Sequence, residues 1–374
     1  MSDHVAIPTE ETPDEILRAQ RFQAGMAAAP TPVVTYALIA VNALIFLAMI
    51  FTAPSFLSLT NQQMLKWGAD FGPLTLNGEW WRLITSCFLH FNFIHIGMNM
   101  FILFQVGVFT EKLFGNVRFL LLYMLAGVGG NLLSLYGHSS HAVVSAGASG
   151  AVFGVYGGLL AFLLIQRGVV PSSMALGIAK SAGIFIVYNV IYGLSSPTTD
   201  LLAHAGGLVF GFLVGCVLSA PLSPAGQRLY PTRTLIVALC GTVLAYAAMA
   251  GLPHQDAGES GMYRKLMLGD RVKVANDDLV YYSGSATKAD AENLGKALAD
   301  VGFFVKPNGI ALLSKGKAGT EISFMVRDGV WDDPEIVPVF EQLGRKIASS
   351  VGGTPLTIRL VDNSMVNRKD IVVQ

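Results

Sequence analysis

Gly147-Ala148-Ser149-Gly150 opens an apolar segment that runs to about Gln166 and is predicted to form a membrane helix. A second stretch, Ala203-His204-Ala205-Gly206-Gly207, stands at the head of another apolar segment. The glycines beside Ser149 remove side-chain bulk, so another backbone can approach the hydroxyl closely. The helix N-terminus adds unpaired N–H groups and a partial positive charge, which suit the stabilisation of an oxyanion. The same Gly-x-Ser-Gly pattern also occurs where membrane helices pack closely. The surrounding sequence must therefore decide between a nucleophile and a packing motif.

The composition indicates a polytopic membrane protein. Of 374 residues, 52% are hydrophobic and 13% are charged, with a mean hydropathy of +0.53, whereas soluble domains carry about 25% charged residues. The net charge is zero, which argues against nucleic acid as a partner. Cys87, Cys216 and Cys240 all fall within predicted spans, so neither a disulfide framework nor a cysteine metal site is expected, and no cofactor is predicted.

Seven apolar segments have about the length that a bilayer requires. They are Val33–Ala53, Leu83–Phe109, Phe119–Tyr136, Gly150–Gln166, Met174–Tyr192, Leu201–Leu222 and Leu235–Leu252. We therefore predict an all-α membrane region with a six-helix core at 33–222 and a seventh helix at 233–252. Residues 1–32 are predicted to be a mobile tail. The Trp80-Trp81-Arg82 cluster is typical of the membrane interface.

Basic residues in the short loops predict the orientation. They lie between spans two and three (Lys112, Arg118), four and five (Arg167), and six and seven (Arg228, Arg233). The loops at 137–149 and 193–200 contain no Lys or Arg. We expect the protein to lie in the cell's inner membrane. The positive-inside rule then places its N-terminus in the cytoplasm. An odd number of spans places residues 253–374 outside.

Residues 253–374 have the composition of a soluble α+β domain. Strands are predicted at Leu279–Tyr282, Ile310–Leu313, Glu321–Val326 and Leu356–Val361, and helices at Lys288–Val301 and Pro334–Ser350. Thr287 is the predicted N-cap of the first helix, with Asp290 in its first turn. The β-α-β-β-α-β order predicts a ferredoxin-like split βαβ sandwich. Since no catalytic or phosphate-binding pattern stands out, a binding or structural appendage is the expected role.

With the N-terminus inside, spans two, four and six all begin at the outer face. That places His95 and Asn99 of span two, Ser149 and His204 at a similar shallow depth. His95 and Asn99 are four residues apart and share one helix face, so they can donate hydrogen bonds to one point. His90 lies well round the helix, where it serves the loop or a bond between helices. Strongly polar groups in a bilayer are costly and usually line a cavity.

Glycines at every fourth residue mark one face of spans four and six. They are Gly150, Gly154 and Gly158 on span four, and Gly207, Gly211 and Gly215 on span six. Such stripes let helix backbones approach closely. If the stripes pack together, Ser149 and His204 come within hydrogen-bond reach, at about 3 Å.

These motifs together resemble those of the rhomboid family of intramembrane serine proteases. The match runs from about residue 33 to 220 and includes Trp81-Arg82 and the His90, His95, Asn99 pattern. It also includes Gly147 to Gly150 and Ala203 to Gly207. The resemblance implies a Ser149–His204 dyad without a third acid, with the oxyanion held by His95, Asn99 and the Ser149 N–H. Phe153 stands where some members have a tyrosine packed on the catalytic histidine, so ring contact is expected without a hydrogen bond.

The predicted activity is hydrolysis of peptide bonds in or near the transmembrane segments of membrane proteins, with the lipid bilayer as the other partner. One alternative is a non-catalytic family member that binds transmembrane helices for quality control. A transporter with polar groups lining a pore is another, although the spans lack paired mid-membrane interruptions. The sequence does not predict the physiological substrate or the oligomeric state.

Overall fold

The structure, a computed structural model, describes residues 12–53, 57–138, 143–196, 199–222, 228–252, 261, 263–264, 269–274, 278–304, 309–316, 319–327, 329–362 and 367–374. The chain divides into two compact units. The first contains 1–75 and 80–253, and the second contains 254–374 with 76–79. Residues 1–11 of the predicted tail and residues 253–260, at the start of the predicted soluble domain, lie outside the described ranges.

The first unit is almost entirely helical. Its helices are α1 (Pro13–Ala27), α2 (Val33–Phe51), α3 (Asn61–Trp67), α4 (Gly72–Thr75), α5 (Arg82–Thr85), α6 (Phe93–Phe114), α7 (Asn116–Gly137), α8 (Ser149–Ile165), α9 (Ser172–Ser195), α10 (Leu201–Leu218) and α11 (Tyr230–Ala250). In the described ranges six of them, α2, α6, α7, α9, α10 and α11, are long and apolar enough to cross a membrane. Helix α8 is apolar but shorter, at 17 residues. Two short strands, β1 (Asp70–Phe71) and β2 (Val144–Ser145), pair antiparallel.

The second predicted span begins ten residues too early. Residues 83–92 form the end of α5, a 3-10 turn at Ser86–Phe88 and an extended segment, so Cys87 lies outside the helix. Helix α6 starts at Phe93 because Asn92 is its N-cap, with the Asn92 side-chain oxygen accepting from the His95 N–H at 2.9 Å. Apolar composition alone cannot separate the turn from the helix that follows it.

The prediction of a mobile tail is wrong for residues 12–27. Thr12 caps α1, Pro13 occupies its first turn, and acidic residues follow, a pattern that favours a helix start. Phe22 is buried in the hydrophobic core of the membrane unit. The Ser172 hydroxyl donates to Glu15 Oε1 at 2.6 Å, which ties α1 to the start of α9.

Arg82, part of the aromatic-basic cluster predicted for the membrane interface, is buried within the protein. It is 2% exposed, and its Nη1 donates to the carbonyl oxygens of Leu65 and Ala69, each at 2.9 Å. Trp80 and Trp81 remain exposed. Arg82 therefore organises the loop between α2 and α6, because its fork of N–H donors satisfies two buried carbonyls.

Glu111 joins α6 to the start of α2. Its carboxyl oxygens accept from the backbone N–H groups of Val34 (2.9 Å) and Thr35 (2.7 Å), and from the Asn116 amide at 2.6 Å. Pro32, the N-cap of α2, provides no capping side chain. A buried carboxyl on another helix therefore satisfies the unpaired donors at this helix end.

The glycine stripes of α8 and α10 pack against each other. A Cβ at Gly207 would lie 1.9 Å from the Gly150 carbonyl oxygen, and one at Gly211 would lie 2.1 Å from that of Gly154. A Cβ at Gly215 would similarly lie 2.6 Å from the Gly158 Cα. The predicted stripe-to-stripe contact is confirmed, since no other residue type fits at these points.

In the described part of the second unit, six strands form a sheet in which neighbouring strands follow chain order. Its strands are β3 (Asp270–Lys273), β4 (Leu279–Gly284), β5 (Ile310–Gly316), β6 (Gly319–Met325), β7 (Leu356–Val361) and β8 (Asn367–Val373), and its helices are α12 (Lys288–Asp300) and α13 (Val337–Ile347). Thr287 caps α12 and Asp290 completes a capping box, as predicted. Residues 317–318, between β5 and β6, lie outside the described ranges.

The six predicted elements of this unit are present in the predicted order, but the ferredoxin-like arrangement is wrong. Strands β4 and β5 pair directly in parallel, as do β6 and β7. In a split βαβ unit another strand lies between the two parallel strands. The edge strands β3, with four residues, and β8, whose first four residues are polar, were not predicted.

Candidate active site

Ser149 and His204 form the centre of the site. Ser149 is the first residue of α8 and is partly exposed, whereas His204 lies one turn into α10 and is 9% exposed. The distance from His204 Nε2 to Ser149 Oγ is 2.9 Å. This matches the separation that the glycine packing predicted, and it is short enough for proton transfer between the two groups.

The ring of Phe153 orients His204. The two rings are stacked with centroids 4.4 Å apart and an interplanar angle of 12°. Phe185 of α9 lies behind Phe153, at a centroid distance of 4.9 Å. Among the described residues His204 Nδ1 has no hydrogen-bond partner. The expected ring contact without a hydrogen bond is what the structure contains, so packing rather than a third polar group holds the imidazole.

The segment that leads into Ser149 is fixed by backbone contacts. Gly147 has φ +141°, a value that L-residues with side chains rarely adopt. Its N–H donates to the Ser86 carbonyl at 2.9 Å. The next N–H, that of Ala148, donates to His90 Nε2 at 3.4 Å. These bonds hold the serine at the helix start.

His90 therefore serves the loop before Ser149, one of the roles expected for it. It lies three residues before α6 rather than within it, and it is fully buried. Burial, and the nearby His95, lower the pKa of His90 to about 3. A neutral imidazole can accept the Ala148 N–H, which an imidazolium cannot.

His95 and Asn99 lie on one face of α6, as predicted. His95 Nδ1 accepts a long hydrogen bond from the Phe91 N–H (3.5 Å), which leaves the proton on Nε2. Nε2 lies beside Gly147, where a Cβ would be 2.9 Å from Nε2 and 3.6 Å from Ser149 Oγ. The amide nitrogen of Asn99 donates one hydrogen to the His95 carbonyl at 2.9 Å. Its second N–H is available to another acceptor.

Asp200 joins three parts of the site, a role that was not predicted. One carboxyl oxygen accepts from the hydroxyls of Ser134 (2.5 Å) and Ser145 (2.6 Å). The other accepts from the Ala203 N–H at 2.9 Å, capping α10. An aspartate four residues before His204 was the available signal. Its partners on α7 and β2 are 66 and 55 residues away in sequence.

Asp70 lies next to this cluster. It pairs with Ser145 across the β1–β2 ribbon and is 1% exposed. Its Oδ1 accepts from the Thr75 hydroxyl at 2.6 Å, while Oδ2 has no hydrogen-bond partner among the described residues. Burial, opposed by the Thr75 hydrogen bond and reinforced by the charge of Asp200, raises the pKa of Asp70 to about 7. The described residues contain no group of three or more His, Cys, Asp or Glu side chains arranged to hold a metal ion.

We predict that Asp70 makes stability fall as pH rises. Because its pKa is near 7 in the folded state and near 4 when unfolded, the folded state binds the extra proton between those values. Stability from this group is full below about pH 4 and lost by about pH 7. Asp70→Asn removes this loss. At pH 8 the variant should therefore have a higher melting temperature in detergent than the wild type, and its free energy of unfolding should be larger by roughly 2–4 kcal/mol. At pH 4.5 most of this advantage should be gone, and an equal advantage at both pH values would contradict the assignment.

The sequence is also similar to those of known proteins. The Rhomboid domain family matches residues 77–221, which include Ser149 and His204. The chain is 33% identical over 227 residues to Rhomboid protease GluP of Bacillus subtilis (strain 168), covering 60% of this chain and 42% of that protein. It is 38% identical over 166 residues to RHOMBOID-like protein 6, mitochondrial, of Arabidopsis thaliana, covering 44% and 52%.

The chain thus spans about half the length of these two relatives. It covers far more of a third, Putative rhomboid protease YdcA of Bacillus subtilis (strain 168), to which it is 31% identical over 188 residues. That alignment covers 49% of this chain and 86% of the relative. On the strength of this match and of the domain match across the site, the chain belongs to the rhomboid family.

Proposed function

We propose that this protein is an intramembrane serine protease. The observation that carries the proposal is the 2.9 Å contact between Ser149 Oγ and His204 Nε2 at the heads of two apolar helices. A serine hydroxyl is a weak nucleophile unless a base takes its proton. The imidazole of His204 is within reach to do so, and packing on Phe153 holds its orientation.

In the proposed reaction His204 Nε2 removes the Ser149 proton as Oγ attacks the scissile carbonyl. The proton then passes from Nε2 to the leaving amine as the C–N bond breaks. A water molecule, deprotonated by His204 in turn, hydrolyses the acyl-enzyme and releases the new carboxyl terminus. No third acid is required in this scheme, because ring stacking positions the imidazole.

The oxyanion of the tetrahedral intermediate is proposed to lie among three donors. The Ser149 N–H, at the first position of α8, has no partner within its own helix. His95 Nε2–H and the second N–H of Asn99 converge from the same face of α6. Donors that are fixed before the reaction stabilise the developing charge without reorganisation.

The proposed substrates are membrane proteins cut in or near their transmembrane segments. An intact helix hides its carbonyls in internal hydrogen bonds. A substrate must therefore unwind for a few residues, which small or helix-breaking residues near the cut favour. Hydrolysis also requires water, which is consistent with a site at helix ends rather than at mid-membrane.

Ser149→Ala should abolish cleavage while leaving the melting temperature nearly unchanged, because one small side chain replaces another. The measurement is incubation of purified protein in detergent with tagged single-span substrates. A fluorophosphonate probe should label the wild type at Ser149 and leave the variant unlabelled.

Cleavage that survives in purified Ser149→Ala protein would contradict the dyad. A wild type that is folded, binds single-span proteins and is neither labelled nor active would favour the non-catalytic alternative instead.

Loss of an oxyanion donor should lower kcat far more than it changes KM, since these donors act chiefly in the transition state. We expect Asn99→Ala and His95→Ala each to reduce kcat by about 10²–10³-fold. His90→Ala should instead show mainly a lower melting temperature, because its ring supports the Ala148 N–H. Full turnover in His95→Ala, with turnover lost in a stable His90→Ala, would reverse these roles.

The orientation is a further part of the proposal: a cell-membrane protein with seven spans, its N-terminus in the cytoplasm and residues after 253 outside. It is supported by the basic loops and by α11, whose 21 residues are apolar enough to cross. Helix α8, although only 17 residues long, is apolar and largely buried among its neighbours.

Protease added to intact spheroplasts tests this orientation. A C-terminal tag should be removed while an N-terminal tag survives. Survival of the C-terminal tag, with equal digestion of both tags after lysis, would show that the chain crosses the membrane an even number of times.

A further inference from the structure

We propose that Asp200 is a positioning residue that sets the alignment of Ser149 with His204 by tying the segment before Ser149 to the start of α10. The inference rests on the proposed function. It concerns a side chain that touches neither the nucleophile nor the base through its carboxyl group. Its action is geometric, through hydrogen bonds to three separate parts of the chain.

The first tie runs to the segment before Ser149. The Ser145 hydroxyl donates to Asp200 Oδ2 at 2.6 Å, and Ser145 is 8% exposed. Hydrogen bonds to a carboxylate are stronger than those between neutral groups. Only Gly147 and two other residues separate Ser145 from Ser149, so a shift of this hydroxyl moves the nucleophile.

The second tie runs to the base. Asp200 Oδ1 accepts from the Ala203 N–H at 2.9 Å, and the Asp200 carbonyl accepts from the His204 N–H at 3.2 Å. Asp200 therefore begins the helix turn that carries the imidazole. His204 Nδ1 has no hydrogen-bond partner among the described residues, so the imidazole depends on this backbone and on Phe153 for its position.

The third tie runs to α7. The Ser134 hydroxyl donates to the same Oδ2 at 2.5 Å, and Ser134 is 3% exposed. This helix packs against both α8 and α10. Asp200 thus joins α7 to the two other parts of the site, whereas an ordinary N-cap would need only the Ala203 contact.

Two substitutions separate positioning from capping. Asp200→Ser keeps a short oxygen that can cap α10 but cannot reach both Ser134 and Ser145. Asp200→Asn keeps the shape, since its oxygen can cap α10 while its two N–H groups can donate to the two hydroxyls. We expect Asp200→Ser to lower kcat about 10- to 100-fold at nearly constant KM. Asp200→Asn should keep most of the wild-type kcat.

The Ser134→Ala/Ser145→Ala double variant reaches the same ties without changing the helix cap. It should lose kcat to the same extent, and combining it with Asp200→Ser should add little further loss, because all three groups act as one unit. The rate of fluorophosphonate labelling at Ser149 should fall in parallel. Thr60→Ala is the matched control, because the Thr60 hydroxyl caps α3 through the same kind of contact, and it should keep the wild-type kcat.

Wild-type kcat in Asp200→Ser, or in the double serine variant, would overturn the proposal. An Asp200→Asn variant as slow as Asp200→Ser would also overturn it, since geometry would then not restore the rate. An equal loss of kcat in Thr60→Ala would also overturn it, because the loss would then come from lower stability of the protein in general. Failure of the proposed function is recognised separately, because the wild type itself would then be neither labelled nor active.

Discussion

The contact of the α8 backbone with the α10 backbone is the constraint on which the site depends. Gly207 lies so close to Gly150 that a single methyl group would overlap the Gly150 carbonyl oxygen. Lipid tails are as apolar as the helices, so burial does not drive helices together within a bilayer. Close packing between smooth faces supplies the contact instead. Ser149 and His204 head these two faces, and their 2.9 Å separation follows from the spacing of the helices.

Helix spacing alone does not orient a nucleophile, and the remaining alignment comes from polar groups in loops. The segment before Ser149 is bonded to the Ser86 carbonyl, to His90 and, through Ser145, to Asp200. Each of these contacts joins a different part of the chain. A buried donor or acceptor left unpaired costs about 1–3 kcal/mol, so this segment has few alternatives to the observed conformation. Asp70 Oδ2 and His204 Nδ1 are exceptions near the site, because neither atom has a hydrogen-bond partner among the described residues.

The errors of the sequence analysis have identifiable causes. Residues 83–92 are mostly apolar, but α6 begins only at Phe93 because Asn92 caps it, a local hydrogen bond that hydropathy does not reveal. The burial of Arg82 was not predicted, because it depends on two carbonyls of the α2–α6 loop that accept from its Nη1. In the second unit the order of elements was correct and the strand pairing was wrong. The local sequence of each strand predicts its extended conformation. Which strands it pairs with depends on contacts between residues distant in the chain.

What the sequence determined by itself was the membrane class, the apolar segments and the residue types of the site, because hydropathy, helical period and glycine spacing are local properties. It also determined that Ser149 and His204 head two glycine-lined helices, from which their contact could be predicted. Only the tertiary structure decided that His90 supports the Ala148 N–H and that Asp200 joins Ser134 and Ser145 to α10. Those bonds link residues 55 to 66 positions apart. A hydrogen bond over such a separation leaves no periodic pattern in the chain, since it depends on how whole helices pack.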